Sequence, residues 1–173
     1  MKRCFFSSLL ERTKGNHMNL HTKVTIASVV IVLATCSTVI AQEKKIKRGQ
    51  LPPAVEKTVT EQSKGATIRG FATEIEKGQR LYEVELTVDG HSKDISMDKN
   101  GRVVEVEEEV AMNSLPTAVQ DGLRKAAGAG TIGKIESLTK NGNLVAYEAH
   151  VTTGKKRSEI QVGPNGGKLA HPE

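Results

Sequence analysis

Two stretches of the chain carry apolar residues at every second position. Tyr82, Val84, Leu86 and Val88 share one face of an expected strand, with Glu83, Glu85 and Thr87 on the other. Val145, Tyr147, Ala149 and Val151 repeat the pattern against Glu148, His150 and Thr152. One buried and one wet face predict an antiparallel sheet. Lys77-Gly78, Asp89-Gly90, Asn100-Gly101, Asn141-Gly142, Thr153-Gly154 and Asn165-Gly166 stand between such runs, and their glycines supply the positive φ of tight turns. Ahead of each run the period changes. Leu51, Val55 and Val59 fall four apart, as do Val119 and Leu123 with Ala126 and Ala127 following, which places each set on one face of a helix. Pro52 and Pro116 mark the helix starts, and Gly65 and Gly128 to Gly130 the stops.

These elements occur twice in the same order. Leu51-Pro52-Pro53-Ala54-Val55 returns as Leu115-Pro116-Thr117-Ala118-Val119, 64 residues on. Tyr82-Glu83-Val84-Glu85-Leu86 returns as Tyr147-Glu148-Ala149-His150-Val151, and Ile95 to Gly101 as Ile160 to Gly166, now 65 residues on. The expected fold is α+β: two tandem units, 51–114 and 115–173, each one helix packed on a four-stranded antiparallel meander. Residues 42–50 read as a basic polar tether with nothing to bury, and Leu169 to Glu173 as a short tail.

Composition adds two things. With 37% hydrophobic and only 3% aromatic residues, the core must be aliphatic. The net charge of +5 comes largely from residues 1–41, so the body is close to neutral and a generic nucleic-acid binder is disfavoured. Within the body, residues 51–114 hold eight basic and thirteen acidic groups, and 115–173 eight and five. From Met18 the chain reads as an export signal: a basic head ending at Lys23, the apolar run Val24 to Leu33, and Val39-Ile40-Ala41 before an expected cut. Residues 1–41 are therefore expected to be removed, with Met18 a candidate start, and the mature protein to be periplasmic or secreted. Leu33-Ala34-Thr35-Cys36 resembles a lipoprotein box, with Thr35 where Gly, Ala or Ser is usual; a membrane enters only if the leader stays uncleaved or Cys36 is lipidated. Cys4 and Cys36 both precede the cut, which leaves no thiol or disulfide in the mature chain.

Motifs of chemistry are absent or misplaced. Gly128-Ala129-Gly130-Thr131-Ile132-Gly133 spells a dinucleotide fingerprint, but it follows a helix and precedes a strand, the reverse of the phosphate-binding context. Asp98-Lys99-Asn100-Gly101 has its glycine too early for a calcium loop and reads as a type I′ turn. His91, His150 and His171 are not placed to share a site. No catalytic residue, cofactor or metal ligand set is expected, and the chain reads as non-enzymatic.

The ordered set Leu-Pro-x-Ala-Val, Tyr82-Glu83-Val84-Glu85-Leu86, Ile95-Ser96-Met97-Asp98 and Asn100-Gly101-Arg102-Val103, present twice, resembles the PepSY-like family related in fold to β-lactamase inhibitor protein. The resemblance implies an exported bacterial, non-enzymatic helix-on-sheet domain, often in tandem, whose members are suspected of binding or inhibiting other proteins. The second unit departs from the pattern, with Ala149 and His150 in place of Val84 and Glu85 and Gly163-Pro164 in place of Asp98-Lys99. The leading functional expectation is a module that holds an envelope protein or peptide, with Glu83, Glu85, Glu148 and His150 as contact residues beside the core tyrosines Tyr82 and Tyr147. The alternatives are a divalent-cation-binding envelope protein built on the acidic first unit, with Glu105, Glu107, Glu108 and Glu109 added to Glu83 and Glu85, and a self-associating structural domain.

Overall fold

The computed structural model describes residues 43–173, so the expected leader, Met18 and both cysteines lie outside the described residues. Eight antiparallel strands follow one another in sequence order across a single sheet: β1 (Lys44–Lys45), β2 (Thr67–Glu76), β3 (Gln79–Val88), β4 (His91–Met97), β5 (Val103–Glu109), β6 (Thr131–Lys140), β7 (Asn143–Thr153) and β8 (Lys156–Val162). Helix α1 (Pro53–Gln62) precedes β2, and α2 (Thr117–Ala127) precedes β6. Two four-stranded units, packed on one another or continuing one another, are the expectation from sequence. β5 and β6 pair along Glu105↔Lys140 to Glu109↔Glu136, which joins both repeats into one surface. The first repeat has its four strands, β2 to β5. The second has three, and its fourth is reduced to the bridge Val162↔Lys168.

Turn chemistry explains the meander. At Lys77-Gly78, Asp89-Gly90 and Asn141-Gly142 both residues have positive φ, the type I′ geometry whose twist matches the strands. Asn100-Gly101 is different from the expected type I′ turn, because only Gly101 has positive φ. Asp98 to Gly101 close a turn through Gly101 N–H to Asp98 O at 2.9 Å, and Asp98 N–H donates to Arg102 O at 3.0 Å. The second repeat copies it: Gly166 N–H donates to Gly163 O and Gly163 N–H to Gly167 O, both at 2.8 Å.

Both helices lie on the same face of the sheet, each over its own aliphatic core. Val55 and Val59 of α1 bury against Val84, Leu86, Ile95 and Met97; Val119 and Leu123 of α2 bury against Ile135, Ala149 and Val162. Tyr82 and Tyr147 pack at the margins of these clusters, at equivalent places. Ala126 departs from expectation and is exposed, as is Gln62 at the equivalent position of α1.

The segment before α1 is not a free tether. Lys44 and Lys45 pair with Thr73 and Ala72 of β2, Ile46 N–H donates to Phe71 O at 2.9 Å, and Arg48 forks onto Glu56 of α1 at 2.6 and 3.0 Å. The extended backbone satisfies part of the β2 edge, and the basic side chains find acidic partners.

An acidic basin on the open sheet face

Residues directly opposite in an antiparallel pair share a face. The register therefore writes out the open surface row by row: Glu83–Ser96–Glu105–Lys140, then Glu85–Asp94–Glu107–Leu138–Ala146, then Glu109–Glu136–Glu148–Gln161. The β5·β6 junction is the decisive step, because it sets the glutamates of β5 beside Glu136 and brings acid from both repeats together. The result is an open basin of about 470 Å³ carrying ten carboxylates against Lys134 and His150. Leu138 lines its floor, and Ala146, beside it in the register, is fully buried.

Three of the four expected contact residues, Glu83, Glu148 and His150, line this basin. Glu85 does not. Its carboxylate turns to Lys45 at 3.4 Å and Arg69 at 4.0 Å, over the space left by Gly70. Glu148 accepts from Gln161 Nε2 at 2.8 Å. His150 Nε2 stands 3.5 Å from Glu136 Oε2, and its Nδ1 3.9 Å from Glu159.

The centre of the basin is Glu136, which sequence reasoning passed over. Its side chain is 4% exposed, and Lys134 Nζ lies 2.7 Å from Oε1 as an ion pair outside hydrogen-bond alignment, leaving that buried oxygen without an aligned donor. Asp94, Glu107 and Glu136 each present a carboxylate oxygen within 4.8 Å of the others, and Glu136, Glu148 and His150 form a second such group. Asp94 is tied to Arg69 at 2.8 Å, and Glu105 to Lys140 at 3.0 Å.

Crowding of like charge in a half-dry site raises carboxyl pKa values. Burial, then the neighbouring Asp94, Glu43, Glu74 and Glu85, push Glu83 up to about 7. Burial, then Glu105, Glu136, Glu148 and Glu83, push Glu107 up to about 8. Burial raises Glu148 and Asp94 as well, the latter opposed by Arg69 and Lys134. At neutral pH the basin holds protons that a cationic ligand would displace.

The family model described as "Putative beta-lactamase-inhibitor-like, PepSY-like" matches residues 37–105 and again 80–169. The chain belongs to this PepSY-like family. Among solved structures it is similar to a BLIP-like protein from Bacteroides fragilis, with 25% identity and a TM-score of 0.52 over 70% of this chain and 86% of that one. A protein from Bacteroides eggerthii, described as a putative periplasmic protein, has 15% identity and a TM-score of 0.57 over 69% and 86%. A DUF2874 family protein from Bacteroides ovatus has 15% identity and a TM-score of 0.55 over 69% and 84%. No curated protein matches the chain. The two matches overlap at residues 80–105, and the fold accords with a PepSY-like helix-on-sheet architecture.

Proposed function

We propose that this PepSY-like protein is an exported, non-enzymatic binding module whose acidic basin holds a lysine- or arginine-bearing segment of an envelope protein or peptide. The carrying observation is the ten-carboxylate surface shared by both repeats, in which basic side chains of a partner would replace bound protons. Glu83, Glu148 and His150 are the contacts, with Glu107 and Glu136 between them. Export rests on the leader pattern and fits the description of the Bacteroides eggerthii neighbour. The test uses immobilised protein against an envelope extract, with Glu83→Lys/Glu148→Lys as control. The expected result is a captured protein that the double variant loses, and whose basic segment, made as a peptide, binds the wild type at least tenfold tighter than the variant. Equal capture by both proteins overturns the assignment.

A second reading, a divalent-cation site at Asp94, Glu107 and Glu136, is favoured by the convergence of their carboxylate oxygens around the buried Glu136, whose Oε1 meets only the Lys134 ammonium. Oxygen-only ligands of this type suit calcium or magnesium. Calcium titrated calorimetrically at pH 7 in two buffers of different ionisation enthalpy is expected to show proton release, since Glu107 is largely protonated there. Heat that is absent, or identical in Glu136→Gln, rejects this reading.

A further inference from the structure

The two repeats differ at one structural position, and the difference leaves an opening. In the first repeat β4 is covered by β5: Met97 pairs with Val103, Ile95 with Val106, and both valines pack onto the core beneath α1. In the second repeat β8 corresponds to β4, and the bridge Val162↔Lys168 corresponds to Met97↔Val103. There the correspondence stops. At the 65-residue offset Lys168 and His171 stand in place of Val103 and Val106, and Pro172, which has no N–H to donate, in place of Glu107. Glu173 N–H instead reaches Gln161 Oε1 at 2.8 Å, on the basin side. Lys156 to Glu159 are consequently exposed, and among the described residues no strand pairs with this edge. Between α2 and β8 lies an open groove of about 590 Å³, lined by Ala126, Ile160 and Val162 with Gly122, Lys125 and Lys168.

We propose that the Lys156–Ile160 edge of β8 is a docking edge for one extended strand of a partner protein, in which small apolar side chains alternate with acidic ones. The repeat itself supplies the template, because in the first unit Val103–Glu109 pairs with Lys93 to Met97, the equivalent of Ser158 to Val162 and so overlapping this edge at Ser158 to Ile160. Its apolar side chains would enter the groove over Ile160 and Val162, and backbone pairing would complete the second sheet half. Charge sets the occupant. Lys125, Lys156, Arg157 and Lys168 surround the edge against Glu159 and Glu173, a basic excess that suits an acidic strand and opposes a second copy of the same edge. The groove lies on the helix side of β8, while Glu159 and Gln161 of the same strand line the acidic basin on its other side.

The probe is a fluorescein-labelled peptide of residues Val104–Val110, with a control carrying proline in place of its central valine, read by anisotropy against the purified protein. The expected result is saturable binding of the first peptide and none of the second. Ala126→Trp, which fills the groove from an exposed position, and Arg157→Glu, which reverses edge charge, should each weaken binding at least tenfold, with melting temperatures confirming the fold. Glu83→Lys, on β3 and far across the sheet from β8, should leave it unchanged. Absence of saturable binding to the wild type overturns the proposal, as does equal binding by Ala126→Trp and Arg157→Glu. A wild-type dimer in sedimentation that either variant dissolves overturns it in favour of a second copy.

Discussion

Gly166→Ala is expected to lower the unfolding free energy by roughly 3 kcal/mol or more, and Gly101→Ala by a similar amount, through backbone strain together with a clash. Both glycines have φ near the left-handed region, +78° at Gly101 and +76° at Gly166. Such a φ alone costs an alanine about 1–2 kcal/mol. The larger part comes from the helix. A Cβ on Gly101 would run into Ala54 O of α1, where Thr58 Oγ1 also donates to Gly101 O at 2.7 Å; a Cβ on Gly166 would run into Ala118 O of α2. The turn after the third strand of each repeat thus rests directly on the first turns of its helix, and only a residue without a side chain lets the two backbones meet. Gly142→Ala is the control: its φ is +81°, yet no atom lies within 4 Å of its would-be Cβ, so only the strain remains. Urea unfolding of the three variants checks the ordering. A Gly166→Ala no worse than Gly142→Ala would mean that the turn does not bear on the helix.

That contact also shows how much was legible in the sequence. The alternation of Tyr82 to Val88, the four-residue spacing of Val55 and Val59, and the glycine pairs each report a local requirement, and each corresponds to a strand, a helix face or a turn. The duplication was legible for the same reason. What local patterns do not carry is adjacency between repeats. Nothing in Val103 to Glu109 or Thr131 to Lys140 states that these strands are neighbours, yet that pairing creates the single sheet and moves Glu136 from an ordinary strand position to the buried centre of the basin. That Glu83, Glu148 and His150 stand on the open face is legible because outward positions beside repeated tyrosines can be read one strand at a time. The turn of Glu85 toward Lys45 is not legible in the same way, because it requires the segment before α1 to fold back on β2. The missing fourth strand of the second repeat is visible only as weak hydrophobicity around Gly167-Lys168-Leu169, and its consequence, the unpaired outer edge of β8, depends on how the sheet assembles.

Unfolding measured across pH is expected to show the protein most stable near pH 5 and progressively weaker toward pH 9 at low salt. Glu83 and Glu107 have native values of about 7 and about 8, above the 4.5 of an unhindered glutamate, so the folded state binds their protons more tightly than the unfolded state does. Their stabilising effect is complete below about 4.5 and is lost as pH rises through 7 and 8. For Glu83 the displacement corresponds to roughly 3 kcal/mol at full burial, and to less with the solvent that reaches it. Glu76 and Asp98, held low by Lys140 and by the backbone N–H groups of Asn100 and Arg102, act in the opposite sense and weaken the fold only on the acid side. Glu107→Gln keeps the size of the side chain and removes the charge; it should leave stability at pH 5 nearly unchanged, raise it at pH 9 and flatten the slope between. A wild-type profile level from pH 5 to 9 would mean that water reaches the basin freely and that its carboxylates do not oppose one another. With the slope in hand, the two readings of the basin separate. At pH 8.5, above the values of both Glu83 and Glu107, millimolar calcium restores stability if the site is a cation site, whereas for the binding module it is the captured partner's basic segment that does so, because any ligand that binds only the folded state adds to its stability as ligand concentration rises above the dissociation constant.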